Sequence, residues 1–104
     1  MRLLKPVEFR NTFANGKRIR SQAFTITAAA NELGHPRLGL AISRKNAARA
    51  VDRNRIKRIV RESFRCNAAS LRHVDIVVQA TPSAVLQSNE ALGHHLSELW
   101  DKLK

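Results

Sequence analysis

The chain contains a single cysteine, Cys66, no tyrosine, and only four scattered glycines. One cysteine excludes an internal disulfide and is typical of a reducing compartment, so we expect a cytoplasmic protein in which Cys66 is a small buried residue. The scattered glycines exclude a glycine-rich phosphate loop. No apolar run reaches the roughly 18 residues that a membrane-spanning helix needs. With 104 residues and 43% hydrophobic content, the sequence predicts one globular domain over residues 1–104.

Acidic residues are also scarce, with eight against nineteen basic residues and a formal net charge of +11. Residues 1–42 carry a net charge of +5, residues 43–65 carry +7, and residues 66–104 carry −1. A positive field concentrated in the N-terminal two thirds of a small protein predicts a polyanionic partner.

The candidate catalytic groups are few and dispersed. The carboxylates form no close pair in the sequence. His94 and His95 are adjacent, so they diverge by about 100° on a helix and do not form the i, i+4 pair that is typical of a zinc site. We therefore predict no catalytic residue, no metal ligand and no cofactor in the protein itself.

Hydrophobic periodicity predicts an α+β fold with the element order α-β-β-α-β-α. The last strand, HVDIVVQA, is a continuous apolar run, which is typical of a central strand. A strand, a helix and another strand in succession indicate a crossover between two parallel strands, in a small mixed sheet with helices packed on it. The helices are expected at about residues 6–15, 47–69 and after 87, and the strands at 22–30, 37–43 and 73–80.

The second predicted helix contains RNRIKRIVRESFR, residues 53–65, and separates apolar from cationic side chains. At about 100° per residue, Ile56, Ile59 and Val60 share the face that would pack on the sheet. The opposite face carries cations at i, i+4 spacing, which repel one another by a few tenths of a kcal/mol per pair. Such a face is expected to bind phosphates, for which arginine is well suited. The predicted set is Lys45, Arg49, Arg53, Asn54, Lys57, Arg58, Arg61 and Arg65.

Two other polyanions fit this helix less well. A membrane-surface helix needs exposed apolar residues beside the basic face, whereas here the sheet is expected to cover them. A DNA-reading helix-turn-helix needs a partner helix a few residues away, whereas the predicted neighbours are strands. We therefore predict an RNA partner, and neither a membrane nor DNA.

The spacing K-x4-A-x2-R-N-x2-K-R-x2-R-E, from Lys45 to Glu62, resembles the protein subunit of bacterial ribonuclease P. The resemblance extends to EFRNTFANGKR near the N-terminus, to RLGLAISRK before the helix and to DIVVQA after it. It implies a ribonucleoprotein endonuclease that removes the 5′ leader of precursor tRNA. In that enzyme the RNA subunit carries the chemistry with Mg²⁺, and the protein subunit is not catalytic.

The resemblance also implies roles for particular residues. The basic helix would bind the RNA subunit, and the leader would lie in a cleft between the first helix and the sheet. Aromatic rings stack on unpaired bases at ~1–3 kcal/mol per base, although core packing of the two phenylalanines remains the alternative. The implied leader-binding residues are Phe9, Phe13, Lys17, Arg18 and Arg20.

The same family implies the fold called ribosomal protein S5 domain 2-like. Its crossover is left-handed, whereas crossovers between parallel strands are right-handed in nearly all other folds. Many members carry a further aromatic residue late in the first predicted strand, where this chain has Thr27.

Two functions from other classes remain as alternatives. A structural RNA-binding protein, such as a ribosomal protein, would share the charge and size but would not require the motif spacing or the phenylalanine pair. A self-sufficient nuclease would require a metal site or an acid–base pair, which the sequence does not indicate.

Overall fold

The computed structural model describes residues 5–31 and 33–103. Its elements follow the order α-β-β-β-α-β-α. The helices are α1 (Pro6–Asn15), α2 (Ala50–Asn67) and α3 (Asn89–Leu103), and the strands are β1 (Lys17–Arg20), β2 (Phe24–Ala30), β3 (Arg37–Ala41) and β4 (Val74–Ala80). Short 3₁₀ turns at Ala68–Ser70 and Pro82–Leu86 follow α2 and β4. The predicted α+β class is confirmed. None of the described helices is both long enough and apolar enough to span a membrane.

The predicted element order lacked β1, whose sequence KRIR looks like a basic loop. These residues nevertheless pair antiparallel with residues 25–28 of β2. Ser21 closes the hairpin, because its hydroxyl accepts a hydrogen bond from the backbone N–H of Phe24 at 3.1 Å. β1 lies at the edge of the sheet, where its cationic side chains stay in water and Ile19 alone packs against the core.

The four strands lie in the order β1-β2-β4-β3. β2 is antiparallel to both of its neighbours, whereas β3 and β4 are parallel and are connected through α2. The predicted crossover between parallel strands and the central position of the apolar strand are therefore confirmed. Ile76, Val77 and Val78 are successive and fully buried, which requires that both faces of β4 are covered.

The main core lies between one face of the sheet and the two helices α2 and α3. Phe64 of α2 and Trp100 of α3 meet edge to face, with ring centroids 6.0 Å apart. The Trp100 indole Nε1 also donates a hydrogen bond to Ser63 Oγ at 2.8 Å. Each large apolar side chain buried here stabilises the fold by about 1.5–3 kcal/mol. The largest members are Phe24, Ile26, Leu38, Ile56, Val60, Phe64, Ile76, Leu92, Leu96, Leu99 and Trp100.

α1 packs on the other face of the sheet, over β2 and β4. It ends at Asn15, and the following residue, Gly16, donates its N–H to the Thr12 carbonyl at 2.8 Å. A Cβ on Gly16 would lie 2.5 Å from the Thr12 oxygen and 2.9 Å from the Ala28 carbonyl oxygen. Only glycine therefore lets the end of α1 approach β2 this closely.

A pair of glycine substitutions tests this close approach. We expect Gly16→Ala to lower the free energy of unfolding by about 1–3 kcal/mol, because backbone atoms must move to admit the methyl group. Gly93→Ala is the matched control, since Gly93 lies in α3 and a Cβ there meets nothing within 4 Å. That substitution should raise stability by about 0.5–1 kcal/mol through helix propensity. Urea denaturation measures both. Equal effects of the two substitutions would contradict the described docking of α1.

Candidate nucleic-acid interface

The solvent side of α2 carries the densest positive charge of the described chain. Its residues Asn54, Arg58, Arg61 and Arg65 are exposed, and we call them the α2 cationic surface. The opposite side of the helix is fixed by the fully buried Ile56, Val60 and Phe64. Lys57 lies half-buried at the flank. The predicted division of this helix into an apolar and a cationic face is therefore present in the structure.

The prediction that the helix also carries the cations before residue 50 is wrong. α2 begins at Ala50, not near residue 47, so Lys45 and Arg49 lie outside the helix. Lys45 belongs to an exposed turn, and Arg49 occupies the position just before the helix. The turn is held to the sheet instead, because the Asn46 side chain donates to the Ala80 carbonyl at 2.9 Å.

Arg53 is not a freely exposed member of the set. Its Nη1 donates to the carbonyl oxygens of Ala47 and Ala48 at 3.0 and 2.8 Å. The side chain therefore ties the preceding loop to the first turn of α2. Arg55, which the sequence did not single out, plays a similar part at the other side, where its guanidinium donates to the carbonyls of Val85 and Gln87.

Cys66, expected as a buried residue, is exposed near the end of α2. The position of Cys66 around the helix axis explains why it is exposed. The buried line of the helix runs through residues 56, 60 and 64, and Cys66 lies about 200° from Phe64 around the helix axis.

The face of the sheet beneath α1 remains partly open. Thr25, Gln79 and Ala41 are adjacent across β2, β4 and β3 and are half-buried, and Arg20 of β1 lies opposite Thr25. Residues that are directly opposite in a sheet point to the same face. We call these four residues the open floor, because α1 packs over the neighbouring rows of the same face.

The two phenylalanines of α1 lie beside this floor. Phe9 is half-buried and Phe13 is 38% exposed, and neither is among the half-buried apolar residues that pack against the core cluster. Asn15 lies on the opposite flank of α1. It shares a pocket there with Ala29, Ala30 and Val74, at the end of the strands that is distant from the open floor. Phe13 lies about 200° from Asn15 around the helix axis. The rings are therefore on the flank of α1 that is directed toward the open floor. We call the floor and the rings together the cleft.

The structure separates the three cations of β1. Arg18 pairs with Thr27 and Arg20 with Thr25, so both lie on the α1 face with the cleft. Lys17 pairs with Ala28 on the other face, and the structure does not bring it together with the other predicted leader-binding residues. Thr27 is 2% exposed beneath α1, so its side chain is not available for stacking.

One cation near the cleft was missed by the sequence reasoning. Arg44 is exposed in the turn after β3, close along the chain to Ala41 of the open floor. The sequence signal for Arg44 was its position directly after a predicted strand, because residues that follow strands lie together at one edge of the sheet.

A polar network holds α1 against the sheet. Arg37 of β3 contacts Asp75 of β4 through Nε and Nη2 at 2.8 and 2.7 Å, and its Nη1 pairs with Glu8 of α1. Asn31 also donates to Asp75 at 2.8 Å. Burial alone would raise the pKa of Asp75, but the hydrogen bonds from Arg37 and Asn31 outweigh it and lower this pKa below its ordinary value. The Lys5 backbone N–H is the main cause of the lowered pKa of Glu8.

The described residues offer no evident centre for protein-based metal chemistry. Across residues 5–31 and 33–103, no three histidine, cysteine, aspartate or glutamate side chains come together as metal ligands would. The functional groups that the structure does bring together are cations, amides and two aromatic rings, which are groups that contact nucleic acid.

A cationic helix outside a mixed sheet, and an aromatic-flanked cleft on its other face, define a small α+β protein of the RNA-binding class. The sequence profile of the Ribonuclease P family matches residues 1–104. The chain belongs to the ribonuclease P protein family, so the resemblance found in the motif from Lys45 to Glu62 is confirmed, and with it a place in tRNA processing.

Individual relatives agree with this assignment. The ribonuclease P protein component of Nitrosococcus oceani is 48% identical over 100 residues, which cover 96% of this chain and 84% of the relative. The solved structure of the Staphylococcus aureus RNase P protein is similar with a TM-score of 0.91 and 29% identity, over 99% of this chain and 94% of that one. The Thermotoga maritima RNase P protein gives a TM-score of 0.88 and 28% identity, over 100% and 98% of the two chains.

Asp75→Asn tests the network that positions α1. The asparagine keeps the shape but loses the charge, so we expect a loss of about 1–3 kcal/mol in the free energy of unfolding near pH 7. Since the folded pKa of Asp75 is lowered, its contribution is complete above the ordinary carboxyl pKa of about 4 and disappears as the pH falls through the lowered value.

Urea denaturation of wild type and Asp75→Asn between pH 7 and pH 2.5 measures this difference. The difference in the free energy of unfolding between the two proteins should disappear at the lowest pH values. Glu98→Gln is the matched control, since Glu98 is exposed on α3 and should show a small effect throughout. A gap that stays constant with pH would show that Asp75 does not act through its charge.

Proposed function

We propose that this chain binds the catalytic RNA of ribonuclease P through the α2 cationic surface and the 5′ leader of precursor tRNA through the cleft. The observation that carries the proposal is that these two surfaces lie on opposite faces of one sheet. α2 packs on the core face, whereas α1 and the open floor occupy the other. A single small domain can therefore contact two RNA segments at once without competition between them.

The α2 cationic surface is suited to the folded RNA subunit. Its three exposed arginines present planar guanidinium groups that pair with phosphate oxygens in a bidentate manner. Asn54 lies among them and supplies a donor and an acceptor for a ribose or a base edge. Glu62 is the one acidic neighbour on the exposed side of this part of α2, so the surface retains a strong positive field. Lys45, Arg49, Arg53 and Lys57 would extend the contact at its margins.

The cleft is suited to an unpaired strand. Phe9 and Phe13 offer ring faces on which bases stack with little sequence preference. Thr25 and Gln79 supply hydrogen-bonding groups along the floor, and Arg20 supplies a charge at its edge. Arg18 and the missed Arg44 would add phosphate contacts at either end. A leader of variable sequence needs this kind of site, because stacking and phosphate contacts tolerate any base.

In this proposal the RNA subunit, with its Mg²⁺ ions, carries out the hydrolysis in the cytoplasm. The protein contributes position and charge. Cationic side chains between two RNA segments replace part of the cation screening that the phosphates would otherwise require. The protein is thereby a non-catalytic subunit of an endoribonuclease that produces the mature 5′ ends of tRNA.

Arg61→Ala tests the assignment of α2. Loss of one phosphate contact should weaken binding of the protein to the RNA subunit several-fold and make the salt dependence of log K shallower by about 0.7–0.9. Arg10→Ala is the matched control. It removes the same charge, but Arg10 is exposed on α1 and belongs to neither proposed surface. Filter binding across a range of salt concentrations measures both variants.

The fold of Arg61→Ala should be intact by circular dichroism, since the side chain points away from the core. An unchanged salt slope would show that Arg61 makes no contact with the RNA subunit. A structural RNA-binding protein without a role in this enzyme would show no preference for the ribonuclease P RNA over an unrelated folded RNA of equal length.

Phe13→Leu tests the cleft separately from assembly. Leucine keeps much of the apolar volume but lacks the flat ring, so we expect holoenzyme binding to precursor tRNA with a leader of several nucleotides to weaken by roughly 1 kcal/mol. Binding of mature tRNA and of the RNA subunit should change little. Matched titrations of the three RNAs, after thermal unfolding has been compared, give the answer.

Equal losses with and without the leader would place Phe13 in the core and move the cleft to other side chains. In an assay for cleavage of precursor tRNA, protein without the RNA subunit serves as the control reaction. Leader removal by nuclease-free protein alone would contradict the assignment of the chemistry to RNA.

A further inference from the structure

A second pocket lies at the end of β2, between the end of α1 and the last turn of α3, away from the cleft. Its volume is about 390 Å³. Ala28 and Ala30 at the end of β2, together with Val74 and Leu103, give it an apolar floor, and Ala29 also lines it. Its polar rim consists of Asn15, Lys17, Arg72 and Lys102. Neither the α2 cationic surface nor the open floor contributes a residue to it.

The three cations of this pocket come from distant parts of the chain. Lys17 begins β1, Arg72 precedes β4, and Lys102 lies in the last turn of α3. The C-terminus of a helix favours a cation, which accounts for Lys102 but for neither of the others. Residues 66–104 contain only three basic residues, and two of them line this pocket. The cluster is therefore not a by-product of the general positive charge.

Among residues 5–31 and 33–103, no carboxylate lines the rim. In the part of the chain that the structure describes, none of the three cations has a carboxylate within 4.0 Å, and none of the pocket residues is acidic. Cations that the fold brings together without a counter-charge repel one another. A bound anion would remove that repulsion.

We propose that this pocket binds one phosphate-bearing nucleotide of an RNA strand. Ala28 and Ala30 point to the same face of β2, and their small side chains leave a shallow apolar surface on which a base or a ribose packs. The cations then meet the phosphate. Asn15 donates its amide N–H to the Asn11 carbonyl at 3.1 Å, which leaves its Oδ1 as an acceptor for a base amino group or a 2′-hydroxyl. The inference rests on the proposed function only in taking RNA as the partner.

A titration of the full chain with adenosine 5′-monophosphate, followed by amide NMR, tests the pocket directly. We expect saturable shifts of the Ala29, Ala30 and Val74 signals, and much smaller shifts with adenosine, which lacks the phosphate. Arg72→Gln should weaken binding of the nucleotide at least five-fold. Arg10→Gln removes an exposed arginine of α1 that does not line the pocket, and it should leave binding unchanged. Shifts confined to α2, or equal binding by Arg72→Gln and wild type, would overturn the proposal.

The second arm uses the assembled enzyme and identifies the RNA. The Lys17→Gln/Arg72→Gln double variant is titrated with the RNA subunit, with mature tRNA and with precursor tRNA over a range of salt. One of these RNAs should show a salt slope that is shallower by about 0.7–0.9 for each lost contact. If all three slopes are unchanged while Arg61→Ala has its expected effect, the pocket proposal fails and the proposed function stands. If Arg61→Ala also has no effect, the proposed function fails as well.

Discussion

The burial of one edge of α2 is the constraint that fixes the direction of the α2 cationic surface. Ile56, Val60 and Phe64 are fully enclosed, and they fix the rotation of the helix about its axis. Turning α2 by one residue would carry charged side chains into an apolar core, at a cost of several kcal/mol for each desolvated ion. The exposed arginines therefore owe their direction to the apolar residues on the opposite side, and not to any contact of their own.

β4 links the two sides of the molecule because its alternate side chains serve different partners. Ile76 and Val78 pack into the core beneath α2 and α3, whereas Asp75, Val77 and Gln79 lie on the face that carries α1 and the open floor. The Arg37 network then sets the position of α1 on that second face. Mutations in β4 are consequently expected to disturb both the α2 cationic surface and the cleft, while substitutions on the outer side of either helix disturb one.

Much of this architecture could be predicted from the sequence. The periodicity of the apolar residues predicted the helices and the central strand, and the resemblance predicted the family. β1 could not be predicted, because KRIR owes its strand conformation to pairing with β2 and not to its own composition. The start of α2 was placed too early, since the loop before it is held by hydrogen bonds from Asn46 and Arg53 to backbone carbonyls. Contacts of this kind depend on tertiary neighbours and leave no periodic signal.

The cations of β1 have a consequence for the protein before it meets RNA. β1 is an edge strand, and an edge with unpaired backbone groups invites a strand from another molecule to add to the sheet. Lys17 projects from one face of this edge, whereas Arg18 and Arg20 project from the other. A second copy approaching in register would bring like charges together on both faces and would be repelled. The cations of β1 thus protect the protein from aggregation through edge-to-edge pairing of its sheets.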